Sequence, residues 1–362
     1  MKFYKNKKIL ITGNTGFKGS WLSLTLSSLG SEVIGLSDKS PLVNSVINQD
    51  WINKNIKQYY GKIENLSNLK KIIRDEKPDL IFHLAAQPLV LESYKHPYET
   101  FKTNMIGTLN LLESIKKIDS SIPSLIITTD KVYKNVNEKK FCENDPLEGL
   151  DPYSSSKVCA ENISKAYANI GLRIITARSG NVIGGGDWGK HRIVPDIIRS
   201  IYKNEIPVIR NPSHTRPWLY ILDVIEGYLL LAERLFNKKQ PSEFESFNLA
   251  PSYSKSFNVL QLTKRLLFHF NKTDYKLEKN VIKRESKILS LEAKKMNNCL
   301  NWRAKTSFET AIKETANWYH SANELNTLNI SKEQVTKYFK KFSQTKSKKL
   351  VINNLKLEKK YA

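Results

Sequence analysis

The sequence has few cysteines, and their spacing excludes two classes of protein. Cys142, Cys159 and Cys299 are the only three in 362 residues, and no pair has the Cys-x-x-Cys spacing. Small secreted scaffolds are rich in closely spaced cysteines, and zinc ribbons need paired ones. The histidines also lack metal-ligand spacing with a cysteine or carboxylate pair. We therefore expect reduced thiols, a cytoplasmic location and no bound metal.

Long apolar runs are also missing. The N-terminal residues MKFYKNKKILITG lead into a predicted strand without an apolar stretch of signal-peptide length. No later apolar run reaches the roughly 18 residues that a membrane-spanning helix needs. We expect a protein that does not insert into a membrane.

Acidic residues are outnumbered, with 35 Asp and Glu against 58 Lys and Arg, a formal charge of +23. Such a charge can indicate nucleic acid, an anionic membrane or a phosphorylated substrate as partner. Residues 331–362 carry ten lysines and no arginine, whereas arginine is the residue suited to bidentate contacts with phosphates and bases. We interpret 331–362 as a solvated basic tail and expect no nucleic-acid partner. An RNA-binding or scaffold protein is the non-enzymatic alternative.

Short apolar runs recur along the chain, and helical patterns separate them. Runs of this kind, bounded by polar residues or glycine, are typical of buried parallel strands, and the segments between them suit crossover helices. The pattern predicts a Rossmann-type, doubly wound parallel α/β sheet with a smaller α/β lobe. The runs are KILIT (Lys8 to Thr12), EVIGL (Glu32 to Leu36), LIFHL (Leu80 to Leu84), SLIIT (Ser124 to Thr128) and RIITA (Arg173 to Ala177).

A glycine loop follows the first predicted strand. The segment TGNTGFKG places Gly13, Gly16 and Gly19 before a helix, where the backbone can approach a pyrophosphate at the helix N-terminus. Asp38, after the second strand, is in the position that holds the ribose hydroxyls of NAD, although the adjacent Lys39 leaves NADP open. The other residues that we assign to this cofactor site are Thr15, Phe17, Ile63, Ala85 and Ala86.

A second motif supplies groups that can move protons. Tyr153 and Lys157 are four residues apart, on one face of a predicted helix. A free tyrosine has a pKa of about 10, so a phenol that acts as a base near neutrality needs a nearby cation. Lys157 is expected to supply that charge, and Thr129, at the end of a strand, completes the group.

These residues resemble the extended short-chain dehydrogenase/reductase family. The resemblance covers about residues 7–320, and the segments TGNTGFKGSW, TTDKVY, YSSSK, GNVIGGGDW and RPW are most similar to the branch of CDP-glucose 4,6-dehydratases. The family's glycine loop and its Thr, Tyr and Lys triad match Gly13, Gly16, Gly19, Thr129, Tyr153 and Lys157.

The resemblance implies a lyase reaction without net oxidation. C4 of a nucleotide sugar is oxidised by NAD, water is eliminated across C5 and C6, and the hydride returns to C6; the product feeds deoxysugar synthesis for surface polysaccharide. Tyr153 would take the C4 hydroxyl proton as the hydride leaves, and Thr129 would form a hydrogen bond with the same oxygen. Asp130 would protonate the departing C6 hydroxyl if burial raises its pKa. A homodimer is usual for the family.

In related dehydratases the residue at the position of Lys131 is usually a glutamate, the C5 base, whereas Lys131 resembles the lysine of the CDP-glucose branch. A lysine is a base only when it is neutral. Lys131 therefore either has a lowered pKa or positions the substrate without taking its proton. Another nucleotide-sugar 4,6-dehydratase or a C4 epimerase is the enzymatic alternative, and an epimerase needs no acid at Asp130.

The sequence after Asn181 changes to glycine-rich, basic and aromatic segments. We assign residues 181–223 and 251–330 to a nucleotide-sugar-binding lobe, and residues 1–180 with about 224–250 to the NAD-binding domain. The resemblance implies substrate contacts from four residues, and the arginines among them suit a diphosphate. Trp188 and Trp218 either stack on the base or pack the loop. The four substrate residues are Gln87, Asn181, Arg192 and Arg216.

Overall fold

A seven-stranded parallel sheet forms the centre of the structure, a computed structural model that describes residues 2–134, 139–238, 243–253, 256–278, 288–323 and 326–340. Its strands are β1 (Lys8–Thr12), β2 (Glu32–Ser37), β3 (Ile56–Tyr60), β4 (Leu80–His83), β5 (Ser124–Ile127), β6 (Ile174–Ser179) and β11 (Glu245–Leu249). They lie in the order β11-β6-β5-β4-β1-β2-β3, and each neighbouring pair is parallel. The predicted doubly wound sheet is confirmed.

The strands are apolar along their whole length because both faces of the sheet are covered. Successive side chains of a strand point to opposite faces. Ile9 and Ile11 of β1 therefore belong to one core cluster, while Leu10 between them belongs to another. Each of the five predicted apolar runs coincides with a strand, although β2 continues one residue beyond its predicted end, to Ser37, and β6 continues two, to Ser179.

Helices connect the strands and flank the sheet. Among the described residues, no helix is both long and apolar enough to cross a membrane. The helices are α1 (Phe17–Ser28), α2 (Gln49–Asn55), α3 (Leu66–Glu76), α4 (Val90–Lys95), α5 (Pro97–Phe101), α6 (Gly107–Ile118), α7 (Pro152–Asn169), α8 (Ile193–Tyr202), α9 (Ile221–Asn237), α10 (Val259–Phe268), α11 (Lys294–Leu300), α12 (Phe308–Asn323) and a last helix, α13, over 327–340. A π-helical turn (Lys102–Ile106) precedes α6, and 3-10 turns cover Lys2–Tyr4 and Asp130–Val132.

A smaller lobe is built from three short strand pairs and the helices α8, α10 and α12. Helix α10 packs against both α8 and α12. Between the segments of this lobe, α9 and β11 return to the main sheet, where β11 pairs with β6. The short strands are β7 (Val182–Ile183) with β10 (Leu219–Tyr220), β8 (Val208–Ile209) with β13 (Lys276–Leu277), and β9 (Thr215–Arg216) with β12 (Phe257–Asn258).

The last described helix corrects the predicted start of the basic tail. Val335 and Tyr338 are buried, and the Tyr338 hydroxyl donates hydrogen bonds to Asp223 Oδ1 (2.7 Å) and Glu226 Oε2 (3.1 Å) of α9. A tail that begins at 331 is therefore wrong for residues 331–340, because their buried residues recur at helical spacing between the lysines. Residues 341–362 lie outside the described part of the chain.

Candidate active site

The loop after β1 requires glycine at positions 13 and 19. Gly13 has a φ of +75°, and a Cβ there would lie 2.7 Å from the backbone nitrogen of Ala85. A Cβ at Gly19 would lie 2.1 Å from the Gly13 carbonyl oxygen. Gly16 caps α1 without a side-chain hydrogen bond, so the first amides of the helix stay open to a ligand. These features fit a dinucleotide diphosphate.

The loops after β1, β2 and β4 converge beside this turn. The Thr15 hydroxyl donates to the Lys39 carbonyl oxygen at 3.0 Å, which ties the glycine loop to the segment that contains the exposed Asp38. Ala85 and the half-buried Ala86 follow β4 on the same edge. The structure thus brings the predicted cofactor residues of these loops together.

Ile63 is placed differently from the other predicted cofactor residues. Its side chain is buried in the core cluster that includes Leu10, and a Cβ at Gly107 would lie 2.5 Å from Ile63 Cγ2. The Ile63 side chain therefore packs against the start of α6. A contact with the cofactor remains a prediction for this residue.

A cavity of about 240 Å³ opens beside the strand ends, between the sheet and the smaller lobe. Residues from both parts of the chain line it, and they include most of the predicted catalytic and substrate-binding residues. Lys157 and Gln87 are not among the lining residues. The predicted residues that line the cavity are Phe17, Thr129, Asp130, Lys131, Tyr153, Asn181, Arg192 and Arg216.

Tyr153 lies in the first turn of α7, and its position is fixed by the start of that helix. Asp151 caps the helix, since its carboxylate accepts a hydrogen bond from the Ser154 backbone nitrogen at 3.0 Å. Burial raises the pKa of Tyr153 to about 12, while a hydrogen bond with Thr129 and the charge of Arg192 oppose that shift. The phenol is therefore protonated at neutral pH.

Thr129 connects the phenol to a carboxyl group. Its hydroxyl donates to Asp130 Oδ1 at 3.1 Å, and it is near enough to Tyr153 to lower the pKa of the phenol. Burial raises the pKa of Asp130, although the charge of Lys131 and the Thr129 hydrogen bond act in the opposite direction. The second carboxyl oxygen, Asp130 Oδ2, is buried and has no hydrogen-bond partner within the described residues. A buried polar atom without a partner costs about 1–3 kcal/mol, so this oxygen is suited to a ligand.

Lys157 has a different environment from the one that we expected. Its Nζ donates to the Ile127 carbonyl oxygen at 3.0 Å, at the end of β5. Burial lowers the pKa of Lys157 to about 8, against the charge of Glu161. The positive charge that acts most strongly on the phenol is that of Arg192. Lys157 is not among the main influences on the pKa of Tyr153, and its expected role beside the phenol stays a prediction.

Lys131 lies next to the acid. Its side chain is half-buried, and its backbone nitrogen donates to Thr129 Oγ1 at 3.4 Å. Its charge is the main influence that keeps the pKa of Asp130 from rising further. Whether Lys131 acts as the C5 base stays a prediction.

The two predicted substrate arginines are engaged with neighbouring residues. Arg192 Nη1 donates to both carboxylate oxygens of Asp187, at 2.9 and 3.0 Å. Arg216 is buried; its Nη1 donates to the Thr215 carbonyl oxygen at 2.9 Å, and its Nη2 lies 3.1 Å from His214 Nδ1. Both guanidinium groups are thereby oriented at the cavity wall.

The side chain of Gln87 makes its hydrogen bonds to the loop after β4 and to α5. Its amide nitrogen donates to the Leu89 carbonyl oxygen (3.1 Å) and to Thr100 Oγ1 (2.9 Å). Its amide oxygen accepts from the Leu89 backbone nitrogen at 2.6 Å. With these contacts made, the side chain shapes the loop after β4, and the structure does not bring it into the cavity.

The two tryptophans of the smaller lobe pack against protein. Trp188 Nε1 donates to the Asn44 carbonyl oxygen at 2.6 Å, and the ring meets Tyr319 edge to face. Trp218 is buried, and its Nε1 donates to the Phe257 carbonyl oxygen at 2.9 Å. Of the two interpretations, loop packing is therefore the one that these contacts support.

Sequence reasoning missed Lys18. This residue lines the cavity, and its Nζ donates to Ser179 Oγ at 2.9 Å. Burial, followed by the charges of Arg192 and Lys157, lowers the pKa of Lys18 to about 7. One signal could have found it, because Lys18 is the single charged residue of α1 and lies in its first turn.

Comparisons with known proteins agree with this geometry. A curated CDP-glucose 4,6-dehydratase of Salmonella typhimurium is 35% identical over 329 residues, which cover 88% of this chain and 91% of that protein. The structure of UDP-glucose 4-epimerase from Thermotoga maritima with UDP-glucose matches with a TM-score of 0.78 at 26% identity, over 87% of this chain and 99% of that one.

A third relative shares the fold. The structure of dTDP-glucose 4,6-dehydratase from Bacillus anthracis in complex with NAD has a TM-score of 0.75 at 24% identity and covers 88% of this chain and 98% of that one. The family model for GDP-mannose 4,6 dehydratase matches residues 10–315. With most of its length matched by that model, the chain belongs to the GDP-mannose 4,6 dehydratase family of extended short-chain dehydrogenases/reductases.

Proposed function

We propose that the protein is an NAD-dependent nucleotide-sugar 4,6-dehydratase that converts CDP-D-glucose to CDP-4-dehydro-6-deoxy-D-glucose and water. One observation carries the proposal: Asp130, which lines the cavity, is a buried carboxyl group with a raised pKa, and one of its oxygens has no hydrogen-bond partner among the described residues. Loss of a hydroxyl group needs such an acid, whereas epimerisation at C4 does not. The similarity to the Salmonella enzyme supports CDP-glucose as the substrate.

The glycine loop and the adjoining strand ends would hold the cofactor. Gly13 and Gly19 leave the space in which a diphosphate can approach the backbone, and Asp38 lies at the end of β2, where ribose hydroxyls bind in this type of fold. When bound, NAD accepts a hydride from C4 and later delivers it to C6. NADP is disfavoured by the carboxylate of Asp38.

The phenol of Tyr153 can accept the C4 proton only if it passes its own proton on, because its pKa is about 12. Thr129 offers the path, since its hydroxyl is close to the phenol and donates a hydrogen bond to Asp130. The C4 proton would thereby arrive on Asp130, where burial favours the protonated form. One proton removed at C4 then serves the departure of water at C6.

Asn181, Arg192 and Arg216 would bind the nucleotide sugar. All three line the cavity from the side of the smaller lobe, and arginine suits a diphosphate. Arg192 would bind the ligand while it keeps its hydrogen bond to Asp187. A homodimer in the cytoplasm is part of the same proposal.

The proposed function is tested by incubating the purified protein and NAD with CDP-, dTDP-, UDP- and GDP-glucose. We expect a product that is lighter by one water and absorbs in alkali as a 4-keto sugar, formed fastest from CDP-glucose. A product of unchanged mass with inverted C4 indicates an epimerase. No turnover together with steeply salt-dependent RNA binding supports the non-enzymatic alternative.

A further inference from the structure

The proposed dehydration needs a base for the C5 proton, and the cavity contains two lysines that could provide it. A lysine accepts a proton only in its neutral form. Lys131 follows the acid Asp130 in sequence, whereas Lys18 comes from the first turn of α1. The two residues therefore approach the cavity from different elements.

Lys18 is held at the end of β6. Its Nζ donates to Ser179 Oγ at 2.9 Å, and the next residue, Gly180, borders the acid, since a Cβ there would lie 3.1 Å from Asp130 Oδ2. Lys18, Ser179, Gly180 and Asp130 all line the cavity. The amine and the carboxyl group thus border the same part of the cavity, on either side of Ser179 and Gly180.

The surroundings of Lys18 favour the neutral amine. Burial has the largest effect in lowering the pKa of Lys18, and the charges of Arg192 and Lys157 lower it further. The charges of Asp130 and Asp187 act in the opposite direction. The outcome is a pKa of about 7, so a large fraction of the amine is neutral at neutral pH. The pKa of Asp130 is raised instead. Opposite pKa shifts of two groups are how acid and base roles are divided within one site.

We propose that Lys18 removes the C5 proton and later returns it, an inference that rests on the proposed dehydration of a nucleotide sugar. The C5–H bond breaks as an N–H bond forms on Lys18, and the electron pair becomes the C5–C6 double bond. The C6–O bond breaks at the same stage, and the oxygen leaves as water with the proton of Asp130. When the hydride reaches C6, the Lys18 ammonium gives its proton back to C5.

The test measures exchange of the C5 hydrogen with solvent. Full-length protein with NAD and CDP-glucose is incubated in deuterated water, and deuterium at C5 is followed by NMR and mass spectrometry. Three variants are compared: Lys18→Met, Lys18→Arg, which keeps a cation and a donor toward Ser179 but cannot accept a proton, and Lys131→Met. Lys165→Met, on the exposed side of α7, is the matched control.

We expect both Lys18 variants to lose about 100-fold or more of the C5 exchange rate. NAD binding and C4 oxidation, seen as the absorbance of reduced nicotinamide, should persist in Lys18→Arg, and exchange should persist in Lys131→Met. In the unsubstituted protein, exchange should rise with pH through about 7, because the base acts in its unprotonated form.

Three results overturn the inference. If exchange of the C5 hydrogen survives in Lys18→Met, another residue is the base. If Lys18→Arg restores this exchange, Lys18 positions the substrate and does not take its proton. Loss of NAD binding or C4 oxidation in Lys18→Arg assigns the residue to the cofactor site. Failure of the proposed function is distinct, because then the unsubstituted protein forms no dehydrated product from CDP-glucose.

Discussion

The Thr129 hydroxyl donates a hydrogen bond to Asp130 Oδ1 at 3.1 Å, and this contact joins the oxidation half of the proposed reaction to the elimination half. On one side of Thr129 is the Tyr153 phenol, and on the other is a carboxyl group whose pKa is raised by burial. The same hydroxyl thus serves both proton transfers.

Asp130→Asn should slow both C4 oxidation and water loss. An amide can neither accept the C4 proton that arrives through Thr129 nor protonate the departing hydroxyl, so dehydration is expected to fall about 100- to 10,000-fold. Reduced nicotinamide, followed by absorbance, should therefore not accumulate on the enzyme. Asp75→Asn, an exposed position on α3, is the control. Full dehydration by Asp130→Asn would show that Asp130 is not the acid.

Tyr153→Phe should block the first step. Without the phenol, the C4 hydroxyl has no acceptor connected to Asp130, and turnover should fall about 100-fold or more. NAD binding, measured by titration, should change little because the glycine loop is untouched. Retained oxidation of C4 in this variant contradicts the relay.

Gly19→Ala and Gly16→Ala should differ in stability. A Cβ at position 19 would lie 2.1 Å from a backbone oxygen, whereas at position 16 the nearest atom is 3.4 Å away. We expect Gly19→Ala to lower the free energy of unfolding by about 1–3 kcal/mol and to weaken NAD binding. Thermal melts without ligand give the comparison, and equal melting temperatures would refute the steric argument.

Glu161→Gln should be strongly destabilising. Glu161 and Arg178 form a buried ion pair, with Nε to Oε1 at 2.9 Å and side chains 1% and 3% exposed. Removing one partner leaves a buried charge uncompensated, at a cost of about 3–5 kcal/mol. Glu309→Gln removes the exposed partner of Arg265 and should cost at most about 1 kcal/mol. Chemical denaturation distinguishes the two.

Truncation after residue 330 should lower the melting temperature relative to truncation after residue 340. The shorter chain loses the buried Val335 and the Tyr338 hydrogen bond to Asp223. Similar melting temperatures would mean that α13 adds little to the folded unit.

Sequence reasoning predicted the sheet because buried parallel strands are continuous apolar runs, of which β1 is an example. It ended β6 too early, since Arg178 is charged and only the fold shows that Glu161 neutralises it. The prediction that the tail begins at residue 331 was wrong for a similar reason. The lysines of 331–340 hide the spacing of Val335 and Tyr338, and Asp223, the partner of Tyr338, is more than a hundred residues away in sequence.

In the active site, too, some features could be predicted from the sequence and others could not. That Thr129, Asp130 and Tyr153 lie together could be predicted, because strand ends and a helical turn place them on one edge. The contacts of Lys157 and Gln87 could not, because the first depends on how α7 packs against β5 and the second on the conformation of the loop after β4. Lys18 was missed since nothing local shows that its amine reaches Ser179.

The most direct test of the dehydratase proposal follows the hydrogen at C4. The protein with NAD is given CDP-glucose that carries deuterium at C4, and the product is examined by NMR and mass spectrometry. The account predicts a 4-keto product, lighter by one water, with the deuterium at C6. Deuterium that remains at C4 of an unchanged or epimerised sugar would contradict it.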